Sequence, residues 1–235
     1  MRSKKSIIGS IVFFLGIAVG LSLAVASIWA EYEAVGYFFT GARFDRFPGL
    51  KCPILATYSE TVTISASIEN PGDRAVQPFY RVEVSGPLGR MFRDQIDIPP
   101  HKTQRAEWTV STDDVDLRYF IMTKITLFPF AGTPTREATC GIFVLNLDGP
   151  TGTQVLIISL VASTIGIIVG LSVWERQMAL VNKGVRQSQH VRRALGLVVL
   201  LAIFSSVMGW WLAGFVLCVL AILLLLIVLF VSLSP

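Results

Sequence analysis

The longest uncharged run in this chain covers its last 42 residues, 194–235. As a single helix such a run would be about 63 Å long, whereas the apolar core of a bilayer is about 30 Å thick. Residues 209–214, with the sequence GWWLAG, lie near its middle. Because paired tryptophans favour the headgroup region of a membrane, we place a tight turn there. The run therefore predicts two transmembrane helices, over 194–211 and 214–233.

Two earlier segments, 7–30 and 153–174, are also uncharged and long enough to cross a bilayer. The motif Ala24-Val25-Ala26 resembles a signal-peptide cleavage site, but the apolar run around it is longer than a signal core, so we expect a retained helix. Only 15% of the residues are charged, against about 25% in soluble proteins, which excludes a disordered chain or a simple soluble enzyme. The four predicted spans contain no Asp, Glu, Lys, Arg or His, which argues against a proton or ion pathway within them.

The distribution of charge predicts the orientation of the chain. Basic residues dominate the N-terminus, 1–6, and the segment 175–193, whereas 31–152 carries more acidic than basic side chains. Because cytoplasmic loops are enriched in Lys and Arg, we expect both termini and a basic loop over 175–193 in the cytoplasm, and 31–152 outside it. The loop could lie along the membrane as a short amphipathic helix or form a solvated linker. The chain is thus predicted to be a multi-pass protein of the cell membrane. The basic side chains on the cytoplasmic side would then face anionic lipid, so we expect no nucleic-acid partner.

Between residues 60 and 147 the sequence pattern changes to a period of two. Apolar and polar residues alternate over 61–68 and 80–84, and further strands are predicted near 91–98, around Trp108, and over 117–127 and 137–147. Six or seven short strands with regular turns are typical of an antiparallel sandwich. The predicted fold class is a membrane protein of four transmembrane α-helices, with an extracytoplasmic all-β Ig-like sandwich, residues 31–152, inserted between helices 1 and 2.

A family resemblance rests on the order of three features. A strand ends in Asn70-Pro71-Gly72, a turn at Pro99-Pro100-His101-Lys102 precedes the strand of Trp108, and a long strand carries Tyr119-Phe120-Ile121. This order resembles extracytoplasmic Ig-like domains of the CARDB kind, although such domains usually have Gly after the proline turn. The resemblance covers about residues 60–135, and it implies an adhesion or assembly module rather than a reaction.

The chain has three cysteines, of which Cys52 and Cys140 lie in the predicted outer domain. Because extracytoplasmic compartments are often oxidising, we predict a disulfide between these two residues. The alternative is two separately buried thiols. Cys218 lies in the last predicted span and is interpreted as a small packing residue.

The sequence contains no recognisable catalytic or cofactor motif. His101 and His190 lie in segments predicted on opposite sides of the membrane, so they cannot share a metal. Asp113, Asp114 and Asp116 form the one carboxylate cluster, which we interpret as a solvated turn, with a weak calcium site as the alternative. We therefore predict a protein that is not an enzyme, with no cofactor, no metal ligands and no catalytic residues.

Two glycine pairs are candidate helix-packing residues. Gly16 and Gly20 lie in the first span, and Gly166 and Gly170 lie in the second. Glycines four residues apart let helix backbones approach closely in lipid. The pairs could pack against each other, against a second copy or against another subunit, or they could reflect only the abundance of glycine in spanning helices.

Aromatic residues near the predicted span ends are candidates for contact with lipid headgroups or with a partner. Those outside the helices could also form the lower edge of the sandwich core. The candidates are Tyr37, Phe38, Phe39, Phe44, Phe47, Phe128, Phe130, Trp210 and Trp211.

These features favour a non-enzymatic accessory or scaffolding subunit of a larger cell-envelope membrane complex, which interacts through its transmembrane helices and its outer β-sandwich. Its partners would be other integral membrane subunits, or further copies of itself, together with the lipid bilayer. Two alternatives remain open: a cell-surface receptor or adhesion module that binds polysaccharide or protein, and a subunit that contributes to a shared enzyme site for a lipid-linked substrate.

Overall fold

The computed structural model describes the backbone of residues 4–38, 49–87, 89–130, 132–178 and 186–233. In chain order its elements are α1 (Lys4–Tyr37), β1 (Leu50–Lys51), β2 (Leu55–Thr57), β3 (Val62–Glu69), β4 (Phe79–Val84), β5 (Arg90–Gln95), β6 (Thr103–Val110), a 3-10 turn (Thr112–Asp114), β7 (Phe120–Leu127), β8 (Arg136–Leu145), α2 (Gly152–Met178), α3 (Arg186–Val207) and α4 (Trp211–Leu233). The chain forms two compact units. A helical unit comprises Met1–Ile28 and Leu156–Pro235, and a mixed unit of sheet and helix comprises Trp29–Val155.

Among the described residues, four helices are long and apolar enough to cross a membrane. Their spanning segments are Ile7–Tyr37, Gly152–Trp174, His190–Val207 and Trp211–Phe230. Each exceeds the roughly 17 residues that a bilayer core requires. The number of candidate spanning helices therefore matches the prediction from the sequence.

The turn between α3 and α4 lies slightly earlier than predicted. Gly209 has a φ of +71°, and Trp210 N donates to Ser205 O while Gly209 N donates to Ser206 O. These two bonds form a Schellman motif, in which a glycine in the left-handed conformation ends the helix. Trp211, predicted to end the third span, is instead the first residue of α4.

The helices also extend beyond the spans predicted for them, since α1 continues to Tyr37 and α2 continues to Met178. α3 begins at Arg186, so Arg192 and Arg193 lie in a helix and not in the predicted loop 175–193. The expectation that the spans lack charged residues is therefore wrong for two spanning segments, because Ile7–Tyr37 contains Glu31 and Glu33 and His190–Val207 contains Arg192 and Arg193. Charge alone does not end a helix, because arginine has a high helix propensity.

The strands form two sheets. One has three strands in the order β1-β3-β6, and the other has five in the order β2-β8-β7-β4-β5. All neighbouring strands are antiparallel except β2 and β8, which are parallel. Side chains from both sheets pack into one apolar cluster, which includes Ile64, Trp108, Val82, Ile121 and Ile142.

The six strands β3 to β8 lie close to the segments that the sequence predicts, whereas β1 and β2 were not predicted. These two strands have only two and three residues, which is too short to show a period. In β7 the residues Phe120, Ile121, Met122 and Thr123 are all buried. The strand is covered on both faces, so its sequence does not alternate as a half-exposed strand would.

Candidate functional site

Cys52 and Cys140 form a disulfide, as predicted. Their Cα atoms are 6.5 Å apart, and 88 positions separate them in the chain. Cys52 lies between β1 of the three-stranded sheet and β2 of the five-stranded sheet, and Cys140 lies in β8. The bond therefore ties the segment that passes between the sheets to a central strand, and it indicates an oxidising compartment.

The two glycine pairs pack α1 against α2 within the chain. A Cβ at Gly16 would lie 2.8 Å from Ile167 N, and a Cβ at Gly166 would lie 2.9 Å from Gly16 Cα. The hydroxyl of Ser163 donates to Gly16 O across the two helices at 2.9 Å. Gly16 and Gly166 therefore lie against each other, while Gly20 faces Ser163 of α2 and Gly170 faces Phe13 of α1, so both pairs contribute to packing within the chain.

Replacing Gly170 tests this packing. A Cβ there would lie 2.5 Å from Phe13 N and 2.6 Å from Phe13 Cα, so Gly170→Ala should force α1 and α2 apart. We expect a loss of about 1–3 kcal/mol in the free energy of unfolding, measured by titrating the detergent-solubilised chain with a denaturing detergent. Gly36→Ala is the matched control, because nothing lies within 4 Å of a Cβ at Gly36 and alanine favours the helix. Equal stabilities of the two variants would contradict the close approach.

A buried arginine joins three helices of the helical unit. Arg192 is only 6% exposed. Its guanidinium lies 4.2 Å from the ring centroid of Trp174 and 5.8 Å from that of Phe14, and its Nη1 donates to Ser10 Oγ at 3.3 Å. A desolvated cation–π contact stabilises a protein by as much as about 2 kcal/mol, so these contacts give Arg192 a structural role. A buried arginine in this helix therefore does not by itself indicate a transport pathway.

The predicted aromatic candidates fall into different environments. Phe38 packs against the cluster of Ala30, Ala34, Phe120 and Met122, and its ring lies 5.0 Å from that of the exposed Tyr37. Phe130 packs against the sheet core, whereas Phe128 is exposed. Trp210 is exposed beside Phe204, and Trp211 begins α4. Phe39, Phe44 and Phe47 lie outside the described residues.

The last turns of α1 pack against the outer face of the five-stranded sheet. Gly141 of β8 makes this possible, because a Cβ there would overlap the carbonyl of Ala30. On the same face the ring of Trp29 lies 5.5 Å from that of Phe120, and Met122 is fully buried. The helix therefore covers β7 and β8 and leaves β4 and β5 at the open side of this sheet.

Asp114, which the sequence suggested was a solvated turn residue, is buried and paired with Arg90 of β5. Its carboxylate accepts from Arg90 Nε and Nη2 and from the Ser111 backbone N–H. The same guanidinium donates to Thr109 O of β6 at 3.2 Å. Arg90 thus joins the outermost strands of the two sheets. Among the described residues, no group of three or more acidic, His or Cys side chains is placed to hold a metal.

The hairpin of β4 and β5 carries the exposed apolar surface that best fits a binding site in the sheet unit. All six residues of β5 are exposed, and Phe79 and Met91 are 57% and 54% exposed. A groove of about 680 Å³ lies at its end. The residues lining the groove are Phe79, Tyr80, Arg93, Asp94, Gln95 and Phe128.

Electrostatics keep the phenol in this groove neutral. Burial raises the pKa of Tyr80, and the neighbouring Asp94 carboxylate raises it further. The Tyr80 hydroxyl lies 3.4 Å from Asp94 Oδ2 and donates to it. The groove therefore presents the rings of Phe79 and Phe128, a neutral phenol, the Arg93 guanidinium and the Asp94 carboxylate, a mixture of apolar and polar groups suited to binding.

Sequence reasoning identified only Phe128 among the groove residues. A signal for Gly141 was present, because an isolated glycine inside a strand often marks a close backbone approach. The pairing of Arg90 with Asp114 left no local signal, since 24 positions separate them.

A scan of protein-family models gives no match to the chain, and no curated protein sequence matches it.

Proposed function

We propose that this protein is a non-enzymatic accessory or scaffolding subunit of a larger membrane complex of the cell envelope. The proposal includes an Ig-like sandwich of the CARDB kind, exported from the cytoplasm. The two sheets with their common apolar cluster support the sandwich, and the Cys52–Cys140 bond supports the exported location.

The observation that carries the proposal is the exposed apolar surface of the outer hairpin. Phe79, Met91 and Phe128 are exposed on the same face of the strands at this side of the sheet. Clustered apolar side chains of this size mark interaction surfaces on soluble domains, whereas isolated ones do not. Because the glycine pairs pack within the chain, the hairpin is the surface that would hold a partner.

Extraction of the full chain from native membranes in a mild detergent tests this function. At its natural expression level we expect the chain to elute with other membrane proteins as one complex. Replacing both Phe79 and Phe128 with Ser should weaken binding of these proteins by about thirtyfold and lower their recovery accordingly, since each exposed apolar contact contributes on the order of 1 kcal/mol. Leu147→Ser is the matched control, because Leu147 is exposed but lies in the segment after β8. A lone monomer in native extracts would contradict the proposed role.

A further inference from the structure

The outer edge of β5 has unused backbone hydrogen-bonding groups. Ile96 N donates to Pro78 O, and Phe128 N donates to Phe79 O on the opposite side of β4. Bonded and non-bonded pairs alternate along an antiparallel ladder. The N–H and C=O groups of Met91, Arg93 and Gln95 therefore point away from β4.

One of these three residues is already occupied. Gln95 N donates to Asp94 Oδ1 at 2.8 Å, which closes that end of the edge. Within the described parts of the chain, nothing pairs with the outward backbone groups of Met91 and Arg93. These four groups form a short template onto which an extended chain can add as a strand.

The side chains beside this template define what would bind there. Arg93 lies directly opposite Arg81 in the sheet, and like charges at such positions repel. Arg81 is paired with Glu83 at 2.7 Å, whereas no described side chain forms an ion pair with Arg93. A carboxylate on an incoming strand would therefore be attracted to Arg93. Apolar side chains on that strand would cover Met91 and the groove at Phe79.

We propose that β5 binds an extended segment of a partner protein by strand addition, and that this segment carries an acidic residue two positions from an apolar one. The spacing follows from the period of two, which puts the residues opposite Met91 and Arg93 on the same face. This inference rests on the proposed function, because it names the surface and the kind of segment by which the subunit would hold its partner.

Hydrogen exchange on the complex purified from native membranes tests strand addition directly. The Met91 and Arg93 amides should exchange at least about tenfold more slowly in the complex than in the chain stripped of its partners. Arg93→Pro removes an N–H that points away from β4 and leaves the hydrogen bonds between β4 and β5 in place. We therefore expect it to lower partner recovery by about tenfold. Arg93→Glu should do the same through repulsion of the partner's carboxylate. Arg105→Pro, at an outward position of the β6 edge, should leave recovery unchanged.

The possible failures are distinguishable. If the complex forms but the Met91 and Arg93 amides stay unprotected, or if Arg93→Pro and Arg93→Glu both retain the partner, strand addition is overturned and the accessory role stands. If the wild-type chain carries no partner, the proposed function fails and strand addition fails with it. A disulfide-linked homodimer of Met91→Cys would show a second copy at the edge, which contradicts a heterologous segment.

Discussion

Replacing Arg90 with Met should lower the free energy of unfolding of the sheet unit by about 3 kcal/mol. The substitution leaves the carboxylate of Asp114 buried without its charged partner, and breaking a buried pair from one side typically costs about 3–5 kcal/mol. We take the lower end because the Arg90 side chain is partly exposed. Urea unfolding of the full chain, followed by hydrogen exchange of the β7 amides, measures the effect.

Two further variants separate charge from packing in this experiment. Arg93→Met changes an exposed arginine of the same strand, and should alter the free energy of unfolding by less than about 0.5 kcal/mol. Adding Asp114→Asn to Arg90→Met removes the unpaired charge while an amide oxygen still accepts from Ser111 N–H, so part of the lost stability should return. If the single and double variants were equally unstable, the ion pair would not be what joins β5 to the turn.

Removing the disulfide by replacing Cys52 and Cys140 with Ala should have the largest effect. A bond that closes a loop of 88 positions contributes about 4–5 kcal/mol in the chain-entropy model. The midpoint of urea unfolding should therefore fall markedly. A reducing agent should lower the midpoint of the wild-type chain and leave that of the double variant unchanged.

Cys218→Ala is the control for loss of a thiol. Cys218 is a free, buried cysteine of α4, so its replacement should cost only about 1 kcal/mol and should not alter the response to reductant. Equal unfolding midpoints for wild type and the Cys52/Cys140 double variant would show that the bond does not stabilise the sheet unit.

The sequence predicted features that depend on local pattern. The helices are evident because a bilayer requires about 20 apolar residues in succession. The strands β3, β4 and β6 are evident because one face of each is buried in the core, which makes apolar and polar residues alternate. The disulfide followed from two cysteines in one predicted domain. At β7 the pattern predicted the strand but not the burial of its second face, where Phe120 and Met122 are also covered.

Features that depend on contacts between distant residues were not predictable in this way. The start of α3 was misplaced because Arg192 was interpreted as a loop cation, whereas Trp174 and Phe14 from two other helices cover its guanidinium. Asp114 was interpreted as solvated because its partner Arg90 lies in a different strand. The position of β5 at the edge of its sheet, on which the proposed strand addition depends, follows from the strand order, which a single sequence does not reveal.

We propose that the sheet unit lies outside the cytoplasm while the far end of α2 lies inside it, as the distribution of basic residues predicts. Labelling of cells with an intact plasma membrane by a membrane-impermeant maleimide tests it, in a chain carrying Cys218→Ala. We expect Gln104→Cys, exposed in β6, to be labelled before permeabilisation, and Arg176→Cys, exposed near the end of α2, to be labelled only afterwards. Labelling of Arg176→Cys in intact cells, with Gln104→Cys protected, would contradict the account.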